Sequence, residues 1–478
     1  MDLRKQMLPD CRLEYRIENE TVRITGNRLS PDDTEIIIPG RIGPLPVTEI
    51  GEGAFKECYR LTSVTLPDSV KTIGEAAFMG CSNLKEIRLP AELSSIEAFA
   101  FEGCGKLAAL SIPGGVTRIR SWAFRYCESL KSVVIPGSVK DLGACVFADC
   151  SSLASVTIGE GVTKIPDIAF SHCEALSEIV IPSTVRYIGA LAFGGCKSLF
   201  ELRLPVGVTS FGWRTFYCCV GLSALTLPDG FTTIGEAAFL GCSELTSITF
   251  PYSVRSVEAL AFDKCTKLKE IRIAPDHPFF EFSDGALIQK EPRSVIRLIE
   301  TERNDFTIPD GVTAVGPYAF AKCTKLHTVT LPDSLTRIEA GAFDECSGLY
   351  SIKLPEGLTF IGEKAFAWCK ELWKVKIPDG VKNIDKWTFN GAGVISVELP
   401  EGLLSIGDYA FYGWPNLREI TIPDSVTEIG KEAFTLCARH FSIRSSPDSY
   451  ATRYARRNNI RRRVPRPKDV SFGQKTDL

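Results

Sequence analysis

The chain has 478 residues, of which 44% are hydrophobic and 24% charged, with a formal net charge of −3. That balance supports a continuous apolar core and predicts no bulk attraction to nucleic acid or to an anionic membrane. No stretch approaches the roughly 18 apolar residues that cross a bilayer.

The opening MDLRKQMLPDCRLEYRIENE contains no apolar run of the signal-peptide type, so the sequence read literally places the chain in the cytoplasm. From residue 11 onward, Leu13, Tyr15 and Ile17, then Val22 and Ile24, then Ile36 and Ile38 alternate in strand fashion. Turn clusters at Asn19 and at Ser30-Pro31-Asp32 separate them. Residues 1–46 are therefore expected to form a β-rich cap.

A phenylalanine then recurs every 23 residues, at Phe55, Phe78, Phe101, Phe124, Phe147, Phe170, Phe193, Phe216, Phe239 and Phe262. A period of this length predicts a solenoid. The unit Leu66–Arg88 shows its parts. Leu84, Ile87 and Leu89 form a short strand pattern that Pro90 ends, Leu93 and Ile96 follow in a second extended or turn segment, and Gly74–Phe78 has room for one helical turn. Six large apolar side chains per coil, here Leu66, Val70, Ile73, Phe78, Leu84 and Ile87, are too few to hold 23 residues alone, so neighbouring coils must cover one another.

Fourteen of the 17 cysteines stand three residues after these phenylalanines, from Cys58 to Cys437. A metal or redox array would need clustered ligands such as C-x-x-C, which the chain lacks, so the column is expected to be a ladder of small buried thiols. Thiols left unlinked also suit a reducing compartment. Cys218, beside Cys219, is the thiol expected nearest the surface.

The pattern L-x-x-I-x-L-P-x-x-V-x-x-I-G-x-x-A-F-x-x-C, from about Val47 to Cys437, resembles the BspA-like leucine-rich-repeat family. The resemblance implies a β-rich α/β repeat: a right-handed, curved leucine-rich-repeat solenoid of ~23-residue coils with a parallel sheet on its concave side. It also implies a binding protein, in some members an adhesin at the cell surface, which departs from the cytoplasmic reading of the N-terminus. A first block is expected over 47–273 and a second over 309–440. Local departures are Gly159 in place of the proline, Pro166 in place of the glycine, and Gly391–Val394, which lacks both the cysteine and one residue.

Between the blocks, residues 274–308 break the period, and Asp284-Gly285 between alternating flanks signals a hairpin-like insertion. His277, Phe279, Phe280 and Phe282 make it either a structural elaboration, the favoured reading, or a recognition loop. The phenylalanines resume at Phe320, Phe343, Phe366, Phe389, Phe411 and Phe434.

Outward-facing strand positions in the first block are small, polar or self-neutralising, as in Glu86/Arg88, Glu201/Arg203 and Glu270/Arg272. In the second block His327, Tyr350 and Trp373 share one column, beside Lys353, Lys374 and Lys376. Aromatics at coil spacing with cations beside them form a candidate patch for an acidic protein segment or a glycan; the favoured reading is a row of rings that stack on one another and cover the backbone.

The end of the chain reads as a capping helix within 441–460, with Ser449 as its N-cap, and a flexible basic tail over 461–478. Arg453, Arg456, Arg457, Arg461, Arg462 and Arg463 are candidates for contact with nucleic acid or an anionic surface. A plain solvated tail accounts for them equally simply and is preferred. The four histidines are dispersed, and no phosphate loop, nucleophile elbow, zinc helix or dinucleotide fingerprint occurs. The sequence thus predicts a non-enzymatic protein-interaction scaffold with no cofactor or metal.

Overall fold

The computed structural model describes residues 6–8, 12–30 and 32–463. It comprises two compact units, residues 1–277 and 278–478.

The first unit begins with a meander in which the strand Leu13–Glu18 lies antiparallel to Thr21–Asn27. The latter runs parallel to Leu45–Ile50, pairing Ile24 with Ile50, so the cap's last strand is also the template for the coils. Coiling starts earlier than residue 47: Glu35–Ile37 already pairs in parallel with Ser63–Thr65.

Most coils then contribute two short strands. One column pairs Ser95–Ile96 with Arg118–Ile119 in parallel; the other pairs Ser132–Ile135 with Ser155–Ile158. Partners are 23 residues apart, so identical positions stack. Inside, the phenylalanines form a ladder with ring centroids 5.2 Å apart at Phe55–Phe78 and 5.9 Å at Phe147–Phe170. The rings are nearly parallel, an offset-stacked geometry favourable beyond the area it buries.

The segment expected to make a helical turn does not. Its N–H groups alternate between two uses: Ala77, Met79 and Cys81 bond to carbonyls three residues back, whereas Ala76, Phe78 and Gly80 bond to Ala98, Ala100 and Glu102 of the next coil at 2.7–2.8 Å. A helix would spend every N–H internally and leave this side of the stack unpaired. Linked turns knit it instead. They require a left-handed residue two positions before and two after each ladder phenylalanine, and most of these are not glycine: Trp122 and Tyr126 flank Phe124, Ile168 and His172 flank Phe170, Lys364 and Trp368 flank Phe366. Each costs on the order of 1 kcal/mol, which the repeated inter-coil bonds offset.

The second unit opens with the strands Phe280–Ser283, Ala286–Gln289 and Ser294–Leu298, an antiparallel meander. Asp284 and Gly285 both have positive φ, as a two-residue I′ turn demands. Ser294–Leu298 then pairs in parallel with Ala314–Val315, and coils continue. The short coil at Gly391–Val394 is absorbed without loss of register, since Lys374 pairs with Ser396.

At the C-terminal end, Ser442–Arg444 adds to the strand column beside Glu419–Thr421. The helix Tyr450–Arg457 follows, with Ser449 Oγ accepting from Thr452 N–H and with Ala451, Thr452, Tyr454 and Ala455 buried. The expected flexible tail does not begin at residue 461: Arg461–Arg463 forms a further parallel strand on Ser442–Arg444. The remainder of that tail, 464–478, lies outside the described residues, as does Cys11.

Candidate interaction surface

Every described cysteine is free. The column does more than fill space: Cys81 Sγ donates to Phe55 O at 3.1 Å, Cys196 to Phe170 O at 3.2 Å and Cys346 to Phe320 O at 2.9 Å, each the ladder phenylalanine of the preceding coil. Where the column carries Trp414, its indole N–H bonds to the equivalent carbonyl, Phe389 O, at 2.6 Å. Burial pushes the Cys81 thiol up to about 12 and the Cys196 thiol higher, so both remain protonated donors at neutral pH. Among the described residues no group of three or more His, Cys, Asp or Glu side chains is arranged to hold a metal ion. Cys218 is half-buried rather than exposed.

The insertion's aromatic group is largely taken into the interior. His277 is fully buried in the first unit, its Nε2 3.1 Å from Pro251 O and its ring stacked on Tyr252. Phe280 is equally buried in the second unit, while Phe279 and Phe282 are half-buried. The meander uses Phe280 as core.

On the first unit, Glu201–Arg203 and Glu270–Arg272 form the expected ion pairs, at 3.5 and 2.9 Å. Arg88 turns instead to Asp68, 3.7 Å away. A depression of ≈ 570 Å³ runs over Ser63, Thr65, Glu86, Arg88, Ala109 and Ser111, lined with small, charged and aliphatic groups and no aromatic ring.

The same strand column exposes one ring in the first unit, Phe200, and a run of them in the second. His327, Tyr350 and Trp373 all lie at the surface, Tyr350 46% and Trp373 53% exposed. His327 and Tyr350 have centroids 5.9 Å apart, tilted at 38°. Ile395, 49% exposed, extends the row, its N–H bonded to Trp373 O. Burial of Leu326, Leu349 and Leu372 just before each ring forces the next side chain outward, since successive strand residues alternate. Lys374 pairs with Glu398 and Lys376 with Glu356, both at 2.9 Å. The Glu356 hydrogen bond holds Lys376 above the usual lysine range. Lys353 is exposed and carries no ion pair among the described residues.

The six arginines of the C-terminal segment are all exposed. Arg453 lies over the Tyr450 ring and donates to Asp448 O; Arg456 and Arg457 occupy the helix's last turn, where cations are favoured. Arg463 pairs with Glu419 at 3.1 Å.

Sequence reasoning missed one further grouping. On the turn side of the second unit Trp368 and Trp387, both in left-handed conformation, line a cleft with Asp344, Glu345, Lys364 and Asn390. Its signal was aromatic residues at positions flanking the core phenylalanine, where turns ordinarily carry glycine or asparagine.

Stacked parallel coils with an outward strand face define a leucine-rich-repeat solenoid. The family model described as "BspA type Leucine rich repeat region (6 copies)" matches residues 48–177, 163–282, 300–394 and 359–452. The chain belongs to the BspA-type leucine-rich-repeat family. A leucine-rich repeat protein from Bacteroides ovatus shares its fold at 24% identity and a TM-score of 0.54, over 95% of this chain and 98% of that one. A leucine rich cell surface protein from Faecalibacterium prausnitzii matches at 26% identity and 0.44, over 94% and 97%. The leucine-rich repeat protein of T. pallidum matches at 35% identity and 0.38, over 41% of this chain and 91% of its own. No curated protein matches the chain. No helix among the described residues is long and apolar enough to cross a membrane.

Proposed function

We propose that the chain is a non-enzymatic scaffold that binds a protein partner through the strand-edge row His327, Tyr350, Trp373 and Ile395. One observation carries this reading: Tyr350, Trp373 and Ile395 are exposed in register on three successive coils beside His327, where the first unit has Thr62, Lys85, Ala108, Lys131, Ala154 and Ser177 and a single exposed ring, Phe200. Contiguous exposed apolar surface is uncommon on a protein that binds nothing, and Trp and Tyr dominate interface energetics. Lys353, with Lys374 and Lys376 beside it, favours a partner segment that combines an apolar side chain with an acidic one. Membership of a repeat family supports binding rather than catalysis. If the chain is exported, the same row serves as an adhesive surface.

The test is affinity capture from the source cell's lysate with the wild type and a Tyr350→Ala/Trp373→Ala variant of unchanged circular dichroism. Loss of two anchors at about 2 kcal/mol or more each should deplete at least one captured protein by tenfold or more. Recovery of the same proteins in equal amounts would remove the row as the interface.

A further inference from the structure

We propose that the cleft between Trp368 and Trp387 is a binding site for a pyranose ring of a neutral glycan, separate from the strand-edge row. The cleft holds ≈ 310 Å³ and is lined by Asp344, Glu345, Lys364, Trp368, Trp387 and Asn390, within the range of small-ligand sites.

Its walls are fixed. Trp368 is 49% exposed, yet one part of its ring rests on the next coil: a Cβ at Gly391 would stand 2.6 Å from Trp368 Cε3, so glycine there is what lets the indole lie flat. Trp387 is held by two ammonium groups, Lys386 Nζ at 3.8 Å and Lys364 Nζ at 4.6 Å from its ring centroid. Asn390 lines the cleft, and its Oδ1 is buried with no hydrogen-bond partner among the described residues. An amide oxygen in that state awaits a donor.

The ligand must therefore present an apolar face to indole, a donor to Asn390 Oδ1 and the Asp344 carboxyl, and an acceptor to Lys364. A pyranose ring has C–H faces and hydroxyls that serve as both donor and acceptor. A quaternary ammonium lacks donors, and two lysines already occupy the region over Trp387. A second cleft of ≈ 360 Å³, lined by Thr324, Ser347 and Lys370, shares Trp368 and Glu345 with the first. That continuity fits an oligosaccharide rather than a free sugar.

The experiment uses the full chain labelled with 5-fluorotryptophan, whose six indoles include Trp368 and Trp387, assigned through Trp368→Phe and Trp387→Phe. Methyl glycosides of glucose, galactose, mannose and N-acetylglucosamine are titrated to about 50 mM, with choline as the cationic probe, since a shallow site predicts a Kd of roughly millimolar. At least one glycoside should shift both resonances saturably. Asn390→Leu should weaken that binding about tenfold, with Lys364→Met as a second variant should the first fail to fold. No shift from any glycoside, an undiminished shift in the folded variants, or tighter binding of choline would each overturn the assignment.

Discussion

At the residue scale, the cysteine column shows how one side chain serves a stack. A thiol is small enough for the corner, and its proton, secured by burial, meets the preceding coil's phenylalanine carbonyl. Trp414 argues that the donor matters as well as the volume, since a much larger group at that position directs its N–H to the equivalent oxygen. Cys196→Ala is expected to lower stability by about 1–2 kcal/mol, combining lost volume with a lost hydrogen bond. Cys196→Ser should cost less, because it keeps a donor. Urea unfolding of the three proteins decides this; a serine variant no more stable than the alanine variant would mean that the thiol acts only as a small hydrophobe. Asp344 offers a second test. Burial, with Glu345 beside it, pushes its carboxyl up to about 6 from an ordinary 3.8, against the opposing pull of Lys364 and Lys322. The raised value means that the protonated form is favoured by folding: its contribution is complete below pH 3.8 and is lost as pH rises through 6. Asp344→Asn should therefore raise stability at pH 7 by about 1 kcal/mol, reduced from the full linkage value by solvent screening, and change little near pH 4. An equal effect at both pH values would contradict it.

At the element scale, what the sequence revealed depended on whether a local signal and a stack-wide demand agreed. Asp284-Gly285 named its own turn, and Ser449 with Tyr450 and Tyr454 named the helix, because turn and cap chemistry are decided within a few residues. The coils were legible through the 23-residue period alone, which also aligned His327, Tyr350 and Trp373 on one outward column. The linked turns were not legible. Trp122, Ile168 and Trp368 are poor candidates for positive φ, and only the inter-coil hydrogen bonds, invisible in a local reading, hold them there. The tryptophan cleft was hidden for the same reason, since its walls stand on those turns. The arginines 461–463 misled in another way. Their composition is that of a solvated tail, yet in a strand at the end of a sheet three exposed cations discourage further strand addition. That role accounts for the charge without an anionic partner.

At the scale of the whole molecule, the informative feature is how each unit starts. The first unit begins with an antiparallel pair whose last strand, Thr21–Asn27, turns into the parallel partner of the first coil column. The second repeats the device with Phe280–Ser283, Ala286–Gln289 and Ser294–Leu298, the last pairing Val295 with Val315. In both cases hairpin residues, Val22 and Ile24 or Ala286 and Ile288, cover apolar positions that an open stack would present to water. Residues 278–308 are therefore better understood as a new beginning than as an insertion. The second unit also carries its own closure, the helix Tyr450–Arg457 seated by Tyr454 against Phe434. A repeat array with both ends covered needs nothing further to fold. The fragment 278–478 should accordingly be soluble when expressed alone, show β-type circular dichroism, and unfold in urea through one cooperative transition. Moving the start to residue 300, which removes the meander and leaves the coils intact, should abolish that cooperativity. A fragment 278–478 that aggregates or melts gradually, or a 300–478 fragment that unfolds just as sharply, would show that the meander does not start the stack.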